Sequence, residues 1–277
     1  MSQKTILITG CSTGIGHHCA LGMRDRGWRV FATARTPEDI SKLEGESLEA
    51  LHLDYADAQS IEACANAVLE KTDGDLFALF NNGAYGQGGA VEDLPTDVLR
   101  QQFEANFFGW HDLTTRLLPH MIERRSGRIV QNSSVLGLVA LKFRGAYNAS
   151  KFALEGLTNT MRLELADTGV AVSSIEPGPI TSRFGHNADR IFKETIDIEN
   201  SRFSGRYKRS LENGPDAPGP NDRWRLGPDA VFKKLIHAVE SSNPKPHYFV
   251  TTPTYLMDVA RRTLPPRILD RLLDSVS

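Results

Sequence analysis

Short apolar runs alternate with longer stretches of helical periodicity along the chain, and this alternation constrains the fold more than any other feature. The runs are continuous rather than alternately apolar and polar, as expected for strands that helices cover on both faces. Repeated strand–helix–strand units with right-handed crossovers predict an α/β fold, a single doubly wound parallel sheet of Rossmann type with helices on both faces. The predicted strands are residues 5–8, 29–33, 48–53, 76–80, 128–132, 170–175 and 247–250, and the predicted helices are residues 15–26, 57–71, 97–123, 147–167 and 228–241.

The chain contains no internal repeat and no linker that would divide it, so residues 1–277 are predicted to form one domain. Residues 182–227 break the rhythm, because they are polar, charged and rich in Gly and Pro. A segment of this length inside a compact domain is usually functional and has some helix of its own. It would lie outside the carboxyl ends of the strands, where open α/β sheets bind ligands. We therefore predict a substrate lid with an apolar face made of Phe184, Ile191, Phe192, Phe203 and Trp224.

Residues 254–277 are predicted to form a helical C-terminal tail. They mix apolar side chains with Arg261, Arg262, Arg267 and Arg271. An amphipathic helix that packs on its own subunit or on a partner is the favoured interpretation. The alternative is weak contact with a membrane surface, which one short helix supports poorly.

The charge and the cysteine count exclude several classes of protein. The chain has 32 Lys and Arg against 34 Asp and Glu, a net charge of −2, so we expect no nucleic-acid partner. Three cysteines without a Cys-x-x-Cys pair predict neither a disulfide framework nor a zinc site, and eight scattered histidines predict no catalytic metal. Residues 1–4 lead directly into a strand and no apolar run reaches about 18 residues, so we expect a cytoplasmic protein without signal peptide or transmembrane segment.

A glycine-rich turn after the first strand predicts a nucleotide site. Gly10, Gly14 and Gly16 would let the backbone approach a pyrophosphate, and the helix that follows offers free N–H groups at its positive end. Their spacing differs from the G-x-G-x-x-G fingerprint, and an ordinary glycine turn before a helix is the alternative. Within this turn, Ser12, Thr13 and Ile15 are candidate cofactor contacts.

The end of the second strand predicts the choice of cofactor. Residues 33–35 read Thr-Ala-Arg and contain no acid that could accept from a ribose 2′-hydroxyl. Arg35 could pair with a 2′-phosphate through two parallel hydrogen bonds, so NADP(H) is favoured; the alternative is an ordinary surface arginine. Asp54, after the third strand, could accept from the adenine amino group or could cap the next turn.

Three residues in the middle of the chain predict proton-transfer chemistry. Tyr147 and Lys151 are four residues apart, which places them on one face of a helix, and Ser134 precedes Tyr147 by thirteen residues. A carbonyl that receives a hydride becomes an alkoxide and needs a proton. A tyrosine can supply it if a nearby ammonium lowers the phenol pKa. We expect Lys151 to do this and also to bind the cofactor ribose, while Ser134 binds the substrate oxygen.

The order of these motifs resembles the short-chain dehydrogenase/reductase family over residues 4–182. The matching positions are Thr9-Gly10-x-x-x-Gly14-Ile15-Gly16, Asn81-Asn82-Gly83-Ala84, Asn106, Ser134, Tyr147-x-x-x-Lys151 and Pro177-Gly178. The resemblance implies Tyr147 as general acid/base, Ser134 as carbonyl orienter, Lys151 as ribose ligand and Asn106 as holder of a water-linked proton relay. Ser134 is preferred to Ser133 because thirteen residues before the tyrosine is the family's spacing.

The resemblance also implies cofactor contacts from Asn82 and Gly83 and from Pro177, Gly178, Ile180, Thr181 and Ser182. Either hydroxyl of the last pair could bind the cofactor; the register favours Ser182. Within the family, the chain resembles NADP-using aldehyde reductases and the retinol and 17β-hydroxysteroid dehydrogenases. One departure is the order Gly83-Ala84, where the family has Ala-Gly, and we expect the turn beside the adenosine to differ because glycine tolerates positive φ.

These features predict an NADPH-dependent enzyme that reduces an aldehyde or ketone on a medium to large apolar molecule. The first alternative is the same site run as an NADP-linked alcohol dehydrogenase. A second alternative, of another class, is a non-catalytic nucleotide-sensing protein on this fold. The helices at residues 97–123 and 147–167 have apolar faces suited to self-association, so we expect a homodimer or a homotetramer.

Overall fold

The computed structural model describes residues 4–214 and 222–276. Three parts of the sequence predictions lie outside these residues: the approach to the first strand at residues 1–3, the Pro-rich part of the lid at residues 215–221, and the last residue of the tail, Ser277.

Seven strands of the described chain form one sheet in the order β3-β2-β1-β4-β5-β6-β7, and every neighbouring pair is parallel. This confirms the predicted doubly wound α/β fold. The strands are β1 (Thr5–Ile8), β2 (Arg29–Ala34), β3 (Glu49–His52), β4 (Ala78–Asn81), β5 (Gly127–Asn132), β6 (Val170–Glu176) and β7 (His247–Phe249).

The helices cover both faces of the sheet. They are α1 (Gly14–Asp25), α2 (Pro37–Gly45), α3 (Ala58–Thr72), α4 (Thr96–Phe103), α5 (Gly109–Glu123), α6 (Gly145–Glu164), α7 (Phe184–Thr195), α8 (Ser204–Asn213), α9 (Asp229–Glu240), α10 (Thr252–Thr263) and α11 (Pro266–Ser275). Within β1, Ile6 and Ile8 face a core that α1 and α9 complete, whereas Leu7 faces a core built with α3, α5 and α6. Both faces of each central strand are therefore buried, which explains why the strand sequences are continuously apolar.

Two helices differ from the sequence predictions. The predicted helix at residues 97–123 is divided into α4 and α5 by a π-helical turn at Glu104–Phe108. The short helix α2 has no counterpart among the predictions, because only Leu43 of its residues is buried and its apolar periodicity is therefore weak. Its N-terminus is instead fixed by Thr36, whose hydroxyl accepts from the Asp39 amide at 3.2 Å.

The lid segment has helices of its own, α7 and α8. They pack through Phe192, Ile196 and Tyr207 onto Ala90 and Phe143, which belong to the segments after β4 and before α6. The Tyr207 hydroxyl accepts from the Ala90 amide at 2.8 Å. The described part of the lid therefore rests against the two loops that precede α4 and α6.

The tail forms two helices, α10 and α11, rather than one. α10 buries Thr254, Asp258 and Ala260, so it packs on its own subunit, and Asp258 pairs with both Arg261 and Arg262. α11 buries none of its described residues. No helix within residues 4–214 and 222–276 is long and apolar enough to cross a membrane.

Candidate active site

The glycine turn lies between the carboxyl end of β1 and the start of α1. Gly10 and Gly14 have φ of +67° and +62°, a backbone conformation that favours glycine. A Cβ on Gly16 would lie 2.3 Å from the carbonyl oxygen of Gly10, so this helical position also requires glycine. Thr13, the residue before α1, makes no side-chain cap. The first N–H groups of α1 are therefore available to an anion.

The side chain of Asn82 holds the ends of three neighbouring strands together. Its Nδ2 donates to the carbonyl oxygen of Thr9 at 2.9 Å, and its Oδ1 accepts from Asn132 Nδ2 at 2.8 Å. Gly83 follows, and a Cβ there would lie 3.3 Å from the Gly10 amide nitrogen. Neither Gly83 nor Ala84 has positive φ. The expectation that Gly83 has positive φ and thereby changes this turn is therefore wrong. Its close approach to Gly10, and not a left-handed conformation, favours glycine at position 83.

At the end of β2, Thr33 is buried and Arg35, two residues later, is exposed. The Thr33 hydroxyl accepts from the Gly10 amide at 3.2 Å, so this side chain supports the glycine turn from below. Arg35 is exposed and lines a cleft of about 230 Å³ together with Tyr85 and Arg190 of α7. The cleft gives a phosphate near Arg35 room to bind between β2 and the lid.

Asp54 follows β3 and is already engaged in a turn. Its Oδ1 accepts from the Ala56 amide at 3.0 Å, which is the capping alternative raised from the sequence. The adenine contact of Asp54 stays a prediction.

The segment after β6 returns to the glycine turn. The Pro177 carbonyl oxygen accepts from the Val135 amide at 2.8 Å, and a Cβ on Gly178 would lie 2.1 Å from Thr251 Oγ1. Ile180 bridges to Leu226. Ser182 lies beside Gly14, whose hypothetical Cβ would approach the Ser182 Cβ to 3.2 Å, whereas Thr181 is exposed. Ser182 therefore lies beside the glycine turn, and a cofactor contact from Ser182 or Thr181 stays a prediction.

Ser134 and Tyr147 meet at the carboxyl end of β5. Ser134 starts a 3₁₀ turn directly after this strand, and its Oγ accepts from the Leu136 amide at 3.0 Å. Tyr147 lies in the first turn of α6, and a hydrogen bond with the Ser134 hydroxyl lowers its pKa. The Tyr147 ring also packs edge-on against Phe184 of the lid, with ring centres 5.4 Å apart. A carbonyl oxygen placed between the two hydroxyls would contact both.

Lys151 lies one turn further along the same face of α6 and is buried. Its Nζ is 5.8 Å from the centre of the Tyr147 ring and 4.3 Å from that of Trp110. It donates to the carbonyl oxygen of Asn132 at 2.8 Å. An ammonium has three donors, so two remain for other partners.

Burial dominates the pKa values of both groups. It raises the pKa of Tyr147 to about 12, against the lowering effects of Ser134 and Arg144. It lowers the pKa of Lys151 to about 7, against the raising effect of the Glu155 charge. Lys151 is not among the groups that dominate the Tyr147 pKa here, and its lowering of that pKa stays a prediction. The amine is turned towards Asn132 and Trp110, and its own burial disfavours the charge that would act on the phenol.

Asn106 lies in the π-helical turn between α4 and α5 and has no solvent exposure. Its Nδ2 donates to the Tyr85 carbonyl oxygen at 2.8 Å, and its Oδ1 accepts from the Tyr85 amide at 3.1 Å. Both polar atoms of the side chain thus hold the loop after β4. Turns of this kind occur frequently at functional sites. The proton-relay role of Asn106 stays a prediction.

Several residues of the site have little or no signal in the sequence. Trp110 donates from Nε1 to the Gly83 carbonyl oxygen at 2.8 Å, and the centre of its ring lies 4.3 Å from Lys151 Nζ. Glu155 and Glu176, which are buried, and the half-buried His247 form a group although they come from α6, β6 and β7, and the charge of Glu155 acts on Lys151. The four-residue interval from Lys151 to Glu155 is the one signal that could have indicated part of this group.

A cavity of about 260 Å³ lies between the lid and the segment before α6. Its apolar wall includes Phe143, Phe192 and Tyr207, and its polar wall includes Arg144 and Arg206. Of the other lid residues expected to face the substrate, Phe184 contacts Tyr147, Phe203 packs on Phe143, Ile191 lines the cleft beside Arg35 and Trp224 contacts Arg223.

The chain matches a family model described as short chain dehydrogenase over residues 4–190. The uncharacterised oxidoreductase YbbO of Escherichia coli K12 is 40% identical over 271 residues, covering 98% of this chain and 94% of that protein. Retinol dehydrogenase 8 of Bos taurus is 34% identical over 258 residues, covering 88% and 80%. An NADPH-dependent 1-acyldihydroxyacetone phosphate reductase of Schizosaccharomyces pombe is 35% identical over 213 residues, covering 76% and 72%. The crystal structure of a short-chain dehydrogenase from Streptomyces avermitilis is similar, with a TM-score of 0.79 at 28% identity, covering 98% of this chain and 95% of that chain.

Proposed function

Because this chain belongs to the short-chain dehydrogenase family, we propose that it is an NADP(H)-dependent oxidoreductase that reduces an aldehyde or ketone to an alcohol by hydride transfer. One observation carries the proposal: Ser134, Tyr147 and Lys151 converge at the carboxyl end of β5, close to the edge where the glycine turn follows β1. This edge of an open α/β sheet is where such folds bind ligands.

The chain's own residues can perform the proton chemistry. Bound NADPH supplies the hydride. Ser134 donates a hydrogen bond to the carbonyl oxygen, and Tyr147 gives that oxygen its proton as the negative charge develops. Burial raises the pKa of Tyr147, so proton transfer needs a nearby positive charge that stabilises the phenolate, and Lys151 is placed to supply that charge.

Lys151 has two roles in this proposal. One of its free donors binds the cofactor ribose, and its charge stabilises the phenolate that remains after proton transfer. Its position 5.8 Å from the Tyr147 ring centre supports the second role. Asn106 supports the site by fixing the loop after β4, and a water-linked relay from Lys151 to this turn would return the proton to Tyr147.

The residues that would hold the dinucleotide lie along one edge of the sheet. The turn from Gly10 to Gly16 and the free start of α1 would bind the pyrophosphate. Asp54 and the segment at Asn82-Gly83 would contact the adenosine, and the segment 177–182 would contact the nicotinamide side. Arg35 beside an open cleft, with no acid at the end of β2, supports NADP(H) over NAD(H).

The lid supports a medium to large, mainly apolar substrate. The Phe143, Phe192 and Tyr207 side chains beside the cavity would bind an apolar chain or ring. Arg144 and Arg206 on the same cavity would tolerate a polar or negatively charged end. The relative from Schizosaccharomyces pombe, whose name includes an acylated phosphate ester, is consistent with such a substrate.

A screen of NADPH oxidation tests the proposal. The purified protein is mixed with NADPH and a panel of aldehydes, ketones, retinoids, steroids and acylated ketone phosphates, with NADH in a parallel series. We expect substrate-dependent oxidation that is faster with NADPH than with NADH. Absence of turnover in both series, with NADPH still bound, would favour the non-catalytic alternative.

The oxidative direction is the second candidate, and the similarity to retinol dehydrogenase 8 supports it. The same residues would act in reverse, with Tyr147 as the base. The screen distinguishes the two when it is repeated with alcohols and NADP⁺ near neutral pH. A clear excess of the oxidative rate there would contradict the reductive assignment.

A further inference from the structure

Glu155 lies one helical turn beyond Lys151 on the buried face of α6. Tyr147, Lys151 and Glu155 follow one another at four-residue intervals, so they share one side of the helix. Glu155 is buried, and its charge attracts the Lys151 ammonium and raises the pKa that burial lowers. The proposed function gives no role to this glutamate.

Glu155 belongs to a cluster with Glu176 and His247, whose ligand-type atoms all lie within 4.8 Å of one another. His247 Nδ1 is 2.7 Å from Glu176 Oε1 and 4.0 Å from Glu155 Oε2. The second oxygen of Glu176 accepts from the Tyr248 amide at 3.0 Å. Ser174 Oγ donates to Glu155 Oε2 at 3.4 Å.

One carboxyl oxygen of the cluster is incompletely satisfied. Glu155 Oε1 and the nearby Ser133 Oγ are buried and neither has a hydrogen-bond partner of normal geometry, although Ser133 is near enough to lower the Glu155 pKa. A carboxylate held without full hydrogen bonding in a buried site is costly unless an opposite charge compensates it. Two positive charges act on Glu155: His247, with Nδ1 at 4.0 Å, has the larger effect, and Lys151 is the one on the same helix face.

The pKa of each member of the cluster is raised above its ordinary value. Burial raises the pKa of Glu155 and that of Glu176, the latter to about 7, and the hydrogen bond to Glu176 raises the pKa of His247. The other charged groups that act on these three are Lys151 and Arg162, both on α6. Because His247 keeps more than a quarter of its side chain exposed, the cluster can exchange protons with solvent.

We propose that Glu155, set against Glu176 and His247, is a positioning residue that keeps the buried Lys151 ammonium charged for catalysis. The effect of Glu155 on catalysis rests on the proposed function. The effect of Glu155 on the charge of Lys151 does not. Without a negative charge at residue 155, burial would drive Lys151 towards the neutral amine, which cannot stabilise a Tyr147 phenolate.

Two readouts test the proposal on Glu155→Gln, with Glu164→Gln as matched control, because Glu164 lies on the same helix but is exposed. The first is an NMR titration of the ¹³C-labelled Lys151 side chain, assigned with Lys151→Met, which needs no turnover. We expect the Lys151 pKa to fall by about one pH unit or more in Glu155→Gln and to stay unchanged in Glu164→Gln. An unchanged Lys151 pKa in Glu155→Gln would overturn the proposal.

The second readout is the pH profile of kcat/KM for carbonyl reduction. We expect the fall in rate at high pH to begin at lower pH in Glu155→Gln, with little change on the acid side and little change in NADPH affinity. A Lys151 pKa that shifts while the profile does not would refute the positioning role. If the wild type reduces no carbonyl compound, the proposed function has failed. The NMR titration then still decides whether Glu155 keeps Lys151 charged.

Two further measurements cover the cases in which Glu155→Gln does not fold or the cluster binds a metal ion. Should Glu155→Gln not fold, His247→Asn removes the positive charge that keeps Glu155 ionised, so we expect a smaller fall of the Lys151 pKa in the same direction. Elemental analysis of the purified protein is the second. A stoichiometric metal ion in the cluster would overturn the proposal, because its positive charge would lower the Lys151 pKa.

Discussion

Lys151 Nζ lies 5.8 Å from the centre of the Tyr147 ring, one turn away along the same face of α6. Lys151 is buried, and the half-buried Tyr147 packs against Phe184 of the lid. This relationship connects a proton donor to a charge that can stabilise its conjugate base. It also depends on neighbours: Asn132 and Trp110 fix the amine, and Ser134 fixes the phenol.

Replacement of Arg35 by Asp should reverse the cofactor preference. The change removes a charge-assisted hydrogen-bond partner for the 2′-phosphate and adds an acceptor for a ribose hydroxyl. Loss of such bonds costs about 1.5–3 kcal/mol, so NADPH affinity should fall by about 10- to 100-fold, as measured by fluorescence titration with NADPH and NADH. Arg271→Asp on exposed α11 is the control. Unchanged relative affinities in Arg35→Asp would contradict the NADP assignment.

Gly16→Ala should abolish dinucleotide binding while the protein still folds. The added Cβ would lie 2.3 Å from the Gly10 carbonyl oxygen, so the turn that binds the pyrophosphate must move. Gly45→Ala in α2 meets no atom within 4 Å and serves as control. Isothermal titration with NADPH measures the effect, and equal affinities for the two variants would show that the turn is not the nucleotide site.

Glu176 should make the folded protein less stable as the pH rises. Burial raises its pKa to about 7 from an ordinary value of 4.5, so the fold retains a proton that the unfolded chain releases. This contribution is complete below the unfolded pKa and is lost as the pH rises through about 7; it amounts to at most about 3 kcal/mol. Urea unfolding from about pH 5 to about pH 8 should show a smaller loss in Glu176→Gln than in the wild type or in Glu164→Gln. An equal loss in all three would show that Glu176 does not titrate in this range.

The exposed face of α6 should mediate self-association. Phe152 is 45% exposed and Leu163 is 74% exposed, and they flank Gly156 and Asn159 on one side of the helix. We expect a dimer or tetramer that Leu163→Glu converts towards the monomer, as measured by light scattering after size-exclusion chromatography. Leu256→Glu on α10, which is 55% exposed, is the control. A wild-type monomer, or an equal effect of both variants, would contradict this expectation.

The sequence predicts the sheet well, because strands buried on both faces are continuously apolar and the helices between them have strong periodicity. It does not predict α2, whose single buried residue gives no pattern. It also does not predict the π-helical turn at Glu104–Phe108, where the Asn106 side chain bonds the backbone of Tyr85, which lies far away in the sequence.

At the candidate site, local motifs are predictable and long-range groups are not. The glycine turn and the pair Tyr147–Lys151 depend on short spacings, which are visible in the sequence. The direction of the Lys151 amine depends on Asn132 and Trp110, which lie on other elements. The cluster of Glu155, Glu176 and His247 combines three elements, and its protonation depends on burial that a sequence does not reveal.

The most direct test of the account is the rate of NADPH oxidation by Tyr147→Phe with the best carbonyl substrate from the screen, together with its affinity for NADPH. Tyr255→Phe, at a half-exposed position on α10, is the control. Loss of the proton donor should reduce turnover by about 100-fold or more and leave NADPH binding within about twofold of the wild type. Turnover by Tyr147→Phe at the rate of the control would contradict the assignment of Tyr147 as the proton donor.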